Sequence, residues 1–254
     1  MTYKQRIVLY DVRSKLDPPA WSPNVWKVRF VLNFKQLPYT TEWLSFPDIA
    51  KQLSAAGVPP TRTEKPLYTV PAIIDNTDGK HPVFLSDSSL IVSYLEKTYP
   101  RPSIFPGGSE GVQMSYVSAI NEYVYMAMYY MVIPTTTRIL EGRDLEYYVA
   151  SRKDFVGIAL EDMFPVERRD AMWANLRRGL DELSALVDRQ GASSKRRWVF
   201  SPVDSPSYAD FLLGAIFIWF EKAGPEGGWN KIRGWNKGRW EQLLHDLQPY
   251  AQVL

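Results

Sequence analysis

Tyr68-Thr69-Val70-Pro71 and, past a strand-turn-strand stretch, Ser86-Asp87-Ser88-Ser89-Leu90-Ile91-Val92-Ser93-Tyr94-Leu95 decide the reading of this 254-residue chain. A residue before proline is held extended. Val70 therefore keeps its backbone N–H and C=O out of any helix and open to a strand-like ligand. A cis bond at Val70–Pro71 fits a sharp turn at that point. The second stretch reads as a helix start, with Asp87 and Ser88 where unpaired N–H groups and the helix dipole point outward. An anionic ligand group suits those donors, and the Asp87 carboxylate suits an ammonium. Together they match an α-amino-acid head group on a short extended peptide. Either half alone is served equally by a strand-edge proline or an ordinary capped helix; their spacing ties them together.

Working outward, Ile7-Val8-Leu9-Tyr10 is a short β-rich run, followed by the proline-bearing loop Asp17-Pro18-Pro19-Ala20-Trp21-Ser22-Pro23. A helix is expected over residues 24–36. Trp26, Phe30 and Phe34 recur there at helical spacing beside a stripe of Val25, Val28 and Leu32. Ser22 falls at its N-cap and Pro23 in its first turn, where a missing N–H does no harm. Residues 39–44 read as a second strand and residues 45–65 as irregular, with Pro47, Gly57, Pro59 and Pro60. Residues 72–75 and 83–85 flank the turn Asn76-Thr77-Asp78-Gly79 as a hairpin. The helix from Asp87 closes at Tyr99-Pro100. This β-α-β then β-β-α order predicts a thioredoxin-like layout with a mixed sheet covered by helices.

Residues 101–112 read as a linker between a first domain over 1–100 and an all-helical one over 113–254. Residues 113–132 are rich in aromatics and methionine, with Tyr116, Tyr123, Met126 and Tyr130 expected near one face. Residues 172–187 are amphipathic, residues 239–247 form a last amphipathic piece, and residues 211–220 are apolar all round, as in a helix buried inside a bundle. Ser207-Tyr208-Ala209-Asp210 stands before that helix as a capping box, a structural device.

Composition narrows the function classes. Net charge is +2, so no strong field argues for nucleic acid or an anionic membrane. No apolar run approaches the roughly 20 residues of a membrane span. Residues 1–7 carry no signal-peptide pattern. The absence of cysteine excludes disulfides, thiolate metal sites and a cysteine nucleophile. His81 and His245 are far apart and read as surface residues, which leaves no basis for a metal site.

The two opening stretches resemble those of the glutathione transferase family. There the residue before a cis-proline pairs with the cysteinyl backbone of glutathione, and an acidic-Ser pair grips its γ-glutamyl end. The usual Glu-Ser is here Asp87-Ser88, a mild departure. The resemblance covers nearly the whole chain and implies that fold: an α/β thioredoxin-like N-terminal domain plus an all-α C-terminal bundle. Among its classes, Ser22-Pro23-Asn24-Val25-Trp26-Lys27, Thr41-Glu42-Trp43 and Tyr68-Thr69-Val70-Pro71 look most like the etherase-type class.

The resemblance further implies glutathione as co-substrate and a site with named parts. Ser22, with Asn24 in the same turn, would donate hydrogen bonds to the glutathione sulfur. Val70, Pro71, Asp87 and Ser88 would hold its backbone and head group. Lys65, or else Lys51 or Arg62, would meet its glycyl carboxylate. Trp21, Tyr123, Met126 and Tyr130 would wall the electrophile's place. The implied activity is attack of the thiolate on aromatic electrophiles or cleavage of β-aryl ethers. Alternatives are peroxidase chemistry at the same site, a non-catalytic carrier of aromatic metabolites, or a structural module. A cytoplasmic homodimer acting on small hydrophobic molecules is the accompanying expectation.

Overall fold

The structure, a computed structural model, describes residues 7–79, 81–189, 198–201 and 203–254; the lead-in at residues 1–6 lies outside them. The chain divides into two compact units. The first runs through Ser103 and takes in Leu140–Tyr148 and Tyr250–Leu254; the second comprises Ile104–Ile139 and Val149–Pro249.

In the first unit, β1 (Ile7–Val12), α1 (Pro23–Phe34), β2 (Tyr39–Leu44), α2 (Ile49–Ala55), β3 (Ala72–Asp75), β4 (Val83–Ser86) and α3 (Ser88–Thr98) follow in order. The sheet runs β2-β1-β3-β4. β1 and β2 are parallel with Ile7 opposite Tyr39, and β3 lies antiparallel to both β1 and β4. This is the thioredoxin-like mixed sheet that the element order predicts. α1 buries Val25, Val28, Phe30, Val31 and Leu32 completely, so both of its apolar stripes are covered and the helix is buried on opposite sides.

α1 is shorter at its C-terminal end than the periodicity suggests. Lys35 caps it and Gln36 turns left-handed at φ 54°. Residues 45–65 are not wholly irregular, because α2 lies within them. Pro47 sits in the short 3-10 turn Phe46–Asp48 that leads into α2, where it deprives no helical carbonyl of a partner. Two cations inside this unit are buried and paired. Arg29 donates to Asp11 at 2.9 Å and to Thr41 at 3.0 Å. Lys35 donates to Glu96 and to the carbonyls of Tyr99 and Pro102 at 2.7–2.8 Å. The tail is held in the same unit, with Asn33 donating to the carbonyls of Tyr250 and Gln252.

The second unit holds α4 (Glu110–Ile120), α5 (Met126–Thr135), α7 (Leu160–Met163), α8 (Arg169–Arg189), α9 (Tyr208–Ala223), α10 (Gly228–Ile232) and α11 (Trp235–Leu247); α6 (Gly142–Val156) begins in the first unit and ends in the second. α9 is buried on every side from Tyr208 to Phe220. Its N-terminus is fully provided for: Tyr208 N–H donates to the Ile104 carbonyl, Ala209 N–H to Gln113 Oε1, and Ser207 N–H and O–H to Asp210. Asp210 also accepts from the Val199 and Phe200 N–H groups.

Residues 113–132 are not one continuous α-helix. α4 and α5 are joined by a π-helical turn at Asn121–Tyr125. A π turn adds a residue, so side chains on either side lose the common 3.6-residue phase. The single face expected for Tyr116, Tyr123, Met126 and Tyr130 is therefore broken: Tyr116 is buried, Tyr123 and Tyr130 are half-buried and Met126 is 46% exposed. Gly179 of α8 meets the turn, since a Cβ there would lie 1.9 Å from the Tyr123 carbonyl oxygen.

Candidate functional site

Ser22 stands at the N-cap of α1 with φ −64° and ψ 122°, and its carbonyl accepts the Trp26 N–H at 2.9 Å. Its hydroxyl makes no capping hydrogen bond. A serine present only as a cap would turn its hydroxyl back on the N–H groups of the first turn. Here those donors and the hydroxyl remain available at the positive end of the helix dipole. Trp21 is buried behind it at 6% exposure, packed on Phe46 with ring centroids 6.4 Å apart; it is a backing wall more than an open stacking face. Its indole Nε1 has no partner among the described residues.

Asn24 occupies the same first turn, and its Oδ1 accepts from Lys27 Nζ at 2.8 Å. Burial lowers the Lys27 pKa to about 8, against the opposing pull of the Asp87 carboxylate. Lys27 is the functional candidate that residue patterning passed over. A lysine between the apolar Trp26 and Val28, three residues after Asn24, was the available signal.

Val70–Pro71 is cis, and β3 begins immediately after it. The preceding loop is pinned where Thr69 N–H donates to Thr61 Oγ1 at 3.1 Å. Among the described residues no hydrogen bond falls on Val70, whose N–H and C=O remain open. β4 leads into Asp87, which adopts φ 78° and ψ 123°. Positive φ at a non-glycine costs on the order of 1–3 kcal/mol and persists only where surrounding structure enforces it. The enforcing contacts are visible: Asp87 Oδ1 accepts from Ser89 N–H at 2.8 Å and Leu90 N–H at 3.1 Å. The second carboxylate oxygen and the Ser88 hydroxyl make no hydrogen bond among the described residues, and Ser88 is 9% exposed. An acceptor thus stands beside free donors at one helix N-terminus, the arrangement that an ammonium-carboxylate head group requires.

The profile described as "Glutathione S-transferase, C-terminal domain" matches residues 111–250, and "Glutathione S-transferase, N-terminal domain" matches residues 20–103. The chain belongs to the glutathione S-transferase family. The chain is 29% identical over 253 residues to the glutathione S-transferase-like protein ustS of Aspergillus flavus, across 96% of this chain and 90% of that protein. It superposes on a Ceriporiopsis subvermispora glutathione S-transferase crystallised with glutathione, at TM-score 0.85 and 31% identity over 98% of this chain and 99% of that one. Glutathione transferase GSTFuA3 from Phanerochaete chrysosporium gives TM-score 0.85 and 30% identity over the same shares.

Within this transferase fold the remaining predicted residues fall as follows. Lys65, Lys51 and Arg62 are all exposed and carry no ion pair among the described residues, so geometry does not rank them. Tyr130 packs edge-on against Tyr129 at 5.6 Å, and Tyr129 with Tyr125 borders the buried Trp219. The aromatic cluster of the helical unit thus centres on Tyr125, Tyr129 and Trp219.

A cavity of about 500 Å³ in the first unit is lined by Arg13, Ser14, Lys15 and the segment from Leu140 to Asp144; none of the predicted site residues lines it. Burial pushes the Asp144 carboxyl up, but hydrogen bonds from Ser45, Arg13 and the Phe46 N–H outweigh it and hold it below the ordinary range. Those bonds tie the segments after β1 and β2 to α6 and account for the site structurally. Among the described residues there is no group of three metal-ligating side chains, and no helix long and apolar enough to cross a membrane.

Proposed function

We propose that this family member is a serine-type, etherase-like glutathione transferase. The Ser22 hydroxyl, with the Asn24 amide, stabilises the glutathione thiolate for attack on an aromatic electrophile or a β-aryl ether. The observation that carries this reading is the Ser22 hydroxyl, poised at a helix N-terminus and unused by the helix it caps. The relative crystallised with glutathione supports the choice of thiol.

In this proposal the cysteinyl backbone of glutathione pairs with Val70 beside Pro71. Its α-carboxylate takes the Ser88 donors, its ammonium the free oxygen of Asp87, and its glycyl carboxylate Lys65. Trp21 backs the sulfur, and Tyr123, Met126 and Tyr130 stay with the electrophile. Glutathione handling belongs to residues 1–100 and electrophile selection to residues 113–254. A homodimer in a reducing, cytoplasmic setting completes the proposal.

A free thiol with a pKa near 8.5 is only a few per cent ionised at neutral pH. Donors at the sulfur and the helix dipole lower that by about one or two units, each worth about 1.4 kcal/mol. Ser22→Ala should therefore raise the pKa of bound glutathione by about one unit and cut turnover near neutral pH about tenfold, with little change in glutathione affinity. Thiolate absorbance titration and steady-state kinetics measure both. Unchanged thiol ionisation in that variant would sink the mechanism, and tight aromatic binding without turnover in the parent would favour a carrier.

Asp87 requires a subtler variant, because it also caps α3. Asparagine keeps an Oδ1 acceptor for Ser89 and Leu90 while removing the charge. Asp87→Asn should bind glutathione about ten- to a hundredfold more weakly, the loss of one charge-assisted hydrogen bond, with a nearly unchanged melting temperature. Calorimetric binding alongside thermal unfolding separates the two roles; equal affinity in variant and parent would remove Asp87 from the site.

A further inference from the structure

Lys27 follows Asn24 by three positions on α1, so the two side chains share a helix face. The ammonium donates to Asn24 Oδ1 at 2.8 Å. An ammonium has donors only, so this contact fixes the amide: oxygen toward Lys27, Nδ2–H2 away from it. Among the described residues no other hydrogen bond engages the Asn24 side chain, so nothing else orients those two N–H groups. Lys27 makes no ion pair within salt-bridge distance among the described residues either, although Asp87 faces it closely enough to favour its charged form. With its pKa lowered by burial only to about 8, it remains a cation at neutral pH.

We propose that Lys27 is a positioning residue for the thiolate site, its ammonium holding the Asn24 amide with the N–H₂ end turned to the glutathione sulfur. This rests on the glutathione reading of the site and assigns a role one step behind it. Without the lysine, Asn24 is free to rotate or flip its amide. The sulfur then faces a time-averaged mixture of donor and acceptor, where an acceptor oxygen repels a thiolate. Arginine, also a pure donor, can replace the function in part; methionine, of similar length and uncharged, cannot.

The test uses Lys27→Met and Lys27→Arg, each alone and combined with Asn24→Ala, in the full chain. The first readout is the Asn24 side-chain amide resonance pair in glutathione-free protein, identified by its loss in Asn24→Ala. Lys27→Met should move that pair and Lys27→Arg should largely restore it. The second readout is the pKa of bound glutathione by thiolate absorbance. Lys27→Met should raise it by about half a unit to one unit, a three- to tenfold loss of thiolate below the pKa. The Michaelis constant for glutathione should change less than kcat. In the Asn24→Ala background, Lys27→Met should add nothing further. An unmoved amide pair overturns the positioning role. So does an equal thiol shift with and without Asn24, which would make Lys27 a charge acting through space. Failure of the parent to bind glutathione brings down the reading of the site and this inference with it. A parent that binds glutathione and responds to Ser22→Ala but not to Lys27→Met brings down the inference alone.

Discussion

Replacing Asp210 by alanine should lower stability by about 3–5 kcal/mol, because it removes the acceptor of several donors that water cannot reach. The carboxylate accepts from the N–H groups of Val199, Phe200 and Ser207 and from the Ser207 hydroxyl, at 2.6–3.1 Å. Each buried donor left without an acceptor costs on the order of 1–3 kcal/mol, and the helix it opens is buried on all sides. The expected result is a melting temperature roughly 10 °C lower. A fall of a degree or two would mean that water replaces the carboxylate.

Asp210 also carries a pH signature. Burial raises its pKa from 3.8 to about 6, although hydrogen bonds from Ser207, Phe200 and Val199 oppose the rise. The folded state therefore binds its proton more tightly than the unfolded chain. That contribution is fully present below the unfolded pKa and is lost as pH rises through about 6. The stability difference between parent and Asp210→Asn should accordingly shift in the parent's disfavour from pH 4 to pH 7.

Arg29→Met should be comparably damaging at neutral pH, by about 3–5 kcal/mol, because it strands the fully buried Asp11 carboxylate. The guanidinium also lies over the rings of Trp26, Tyr39 and Trp43 at 5.6–5.8 Å, packing that methionine only partly replaces. Burial already raises Asp11 to about 6 with Arg29 pulling it down. Removing Arg29 raises it further, so the variant's deficit should grow as pH increases from 5 to 8. Denaturant unfolding across that range tests the sign. Adding Asp11→Leu should recover part of the loss, since replacing both members of a buried pair is far cheaper than removing one.

Much of the fold was legible because each element carried its own period or punctuation. The apolar stripes of α1, the turn at Asn76-Thr77-Asp78-Gly79 and the Ser207-Asp210 cap are local signals, and each element stands there, although α1 ends at Phe34 rather than Gln36. What escaped depends on partners distant in sequence or on a break in period. α2 was masked by the prolines around it. The Asp11–Arg29 pair joins residues on different elements, with no spacing to betray it. The positions proposed to hold glutathione were legible as motifs, but the double use of Asp87 as cap and candidate ligand group was not. Nor was the freedom of the Ser22 hydroxyl, because serine at an N-cap normally bonds back to its own helix.

The π-helical turn at Asn121–Tyr125 bears on how relatives should be compared. One additional residue turns everything downstream by about 100° relative to an unbroken α-helix. A homologue lacking that residue would align without strain in α4 and in α5, yet present a different set of side chains on the corresponding surface. A gap placed anywhere else in the stretch would equate residues that point in different directions. Any ranking of relatives by their aromatic lining therefore depends on placing that one gap correctly, and a glycine at the position of Gly179, where a Cβ would strike the Tyr123 carbonyl, is the residue to look for in a relative that keeps the turn.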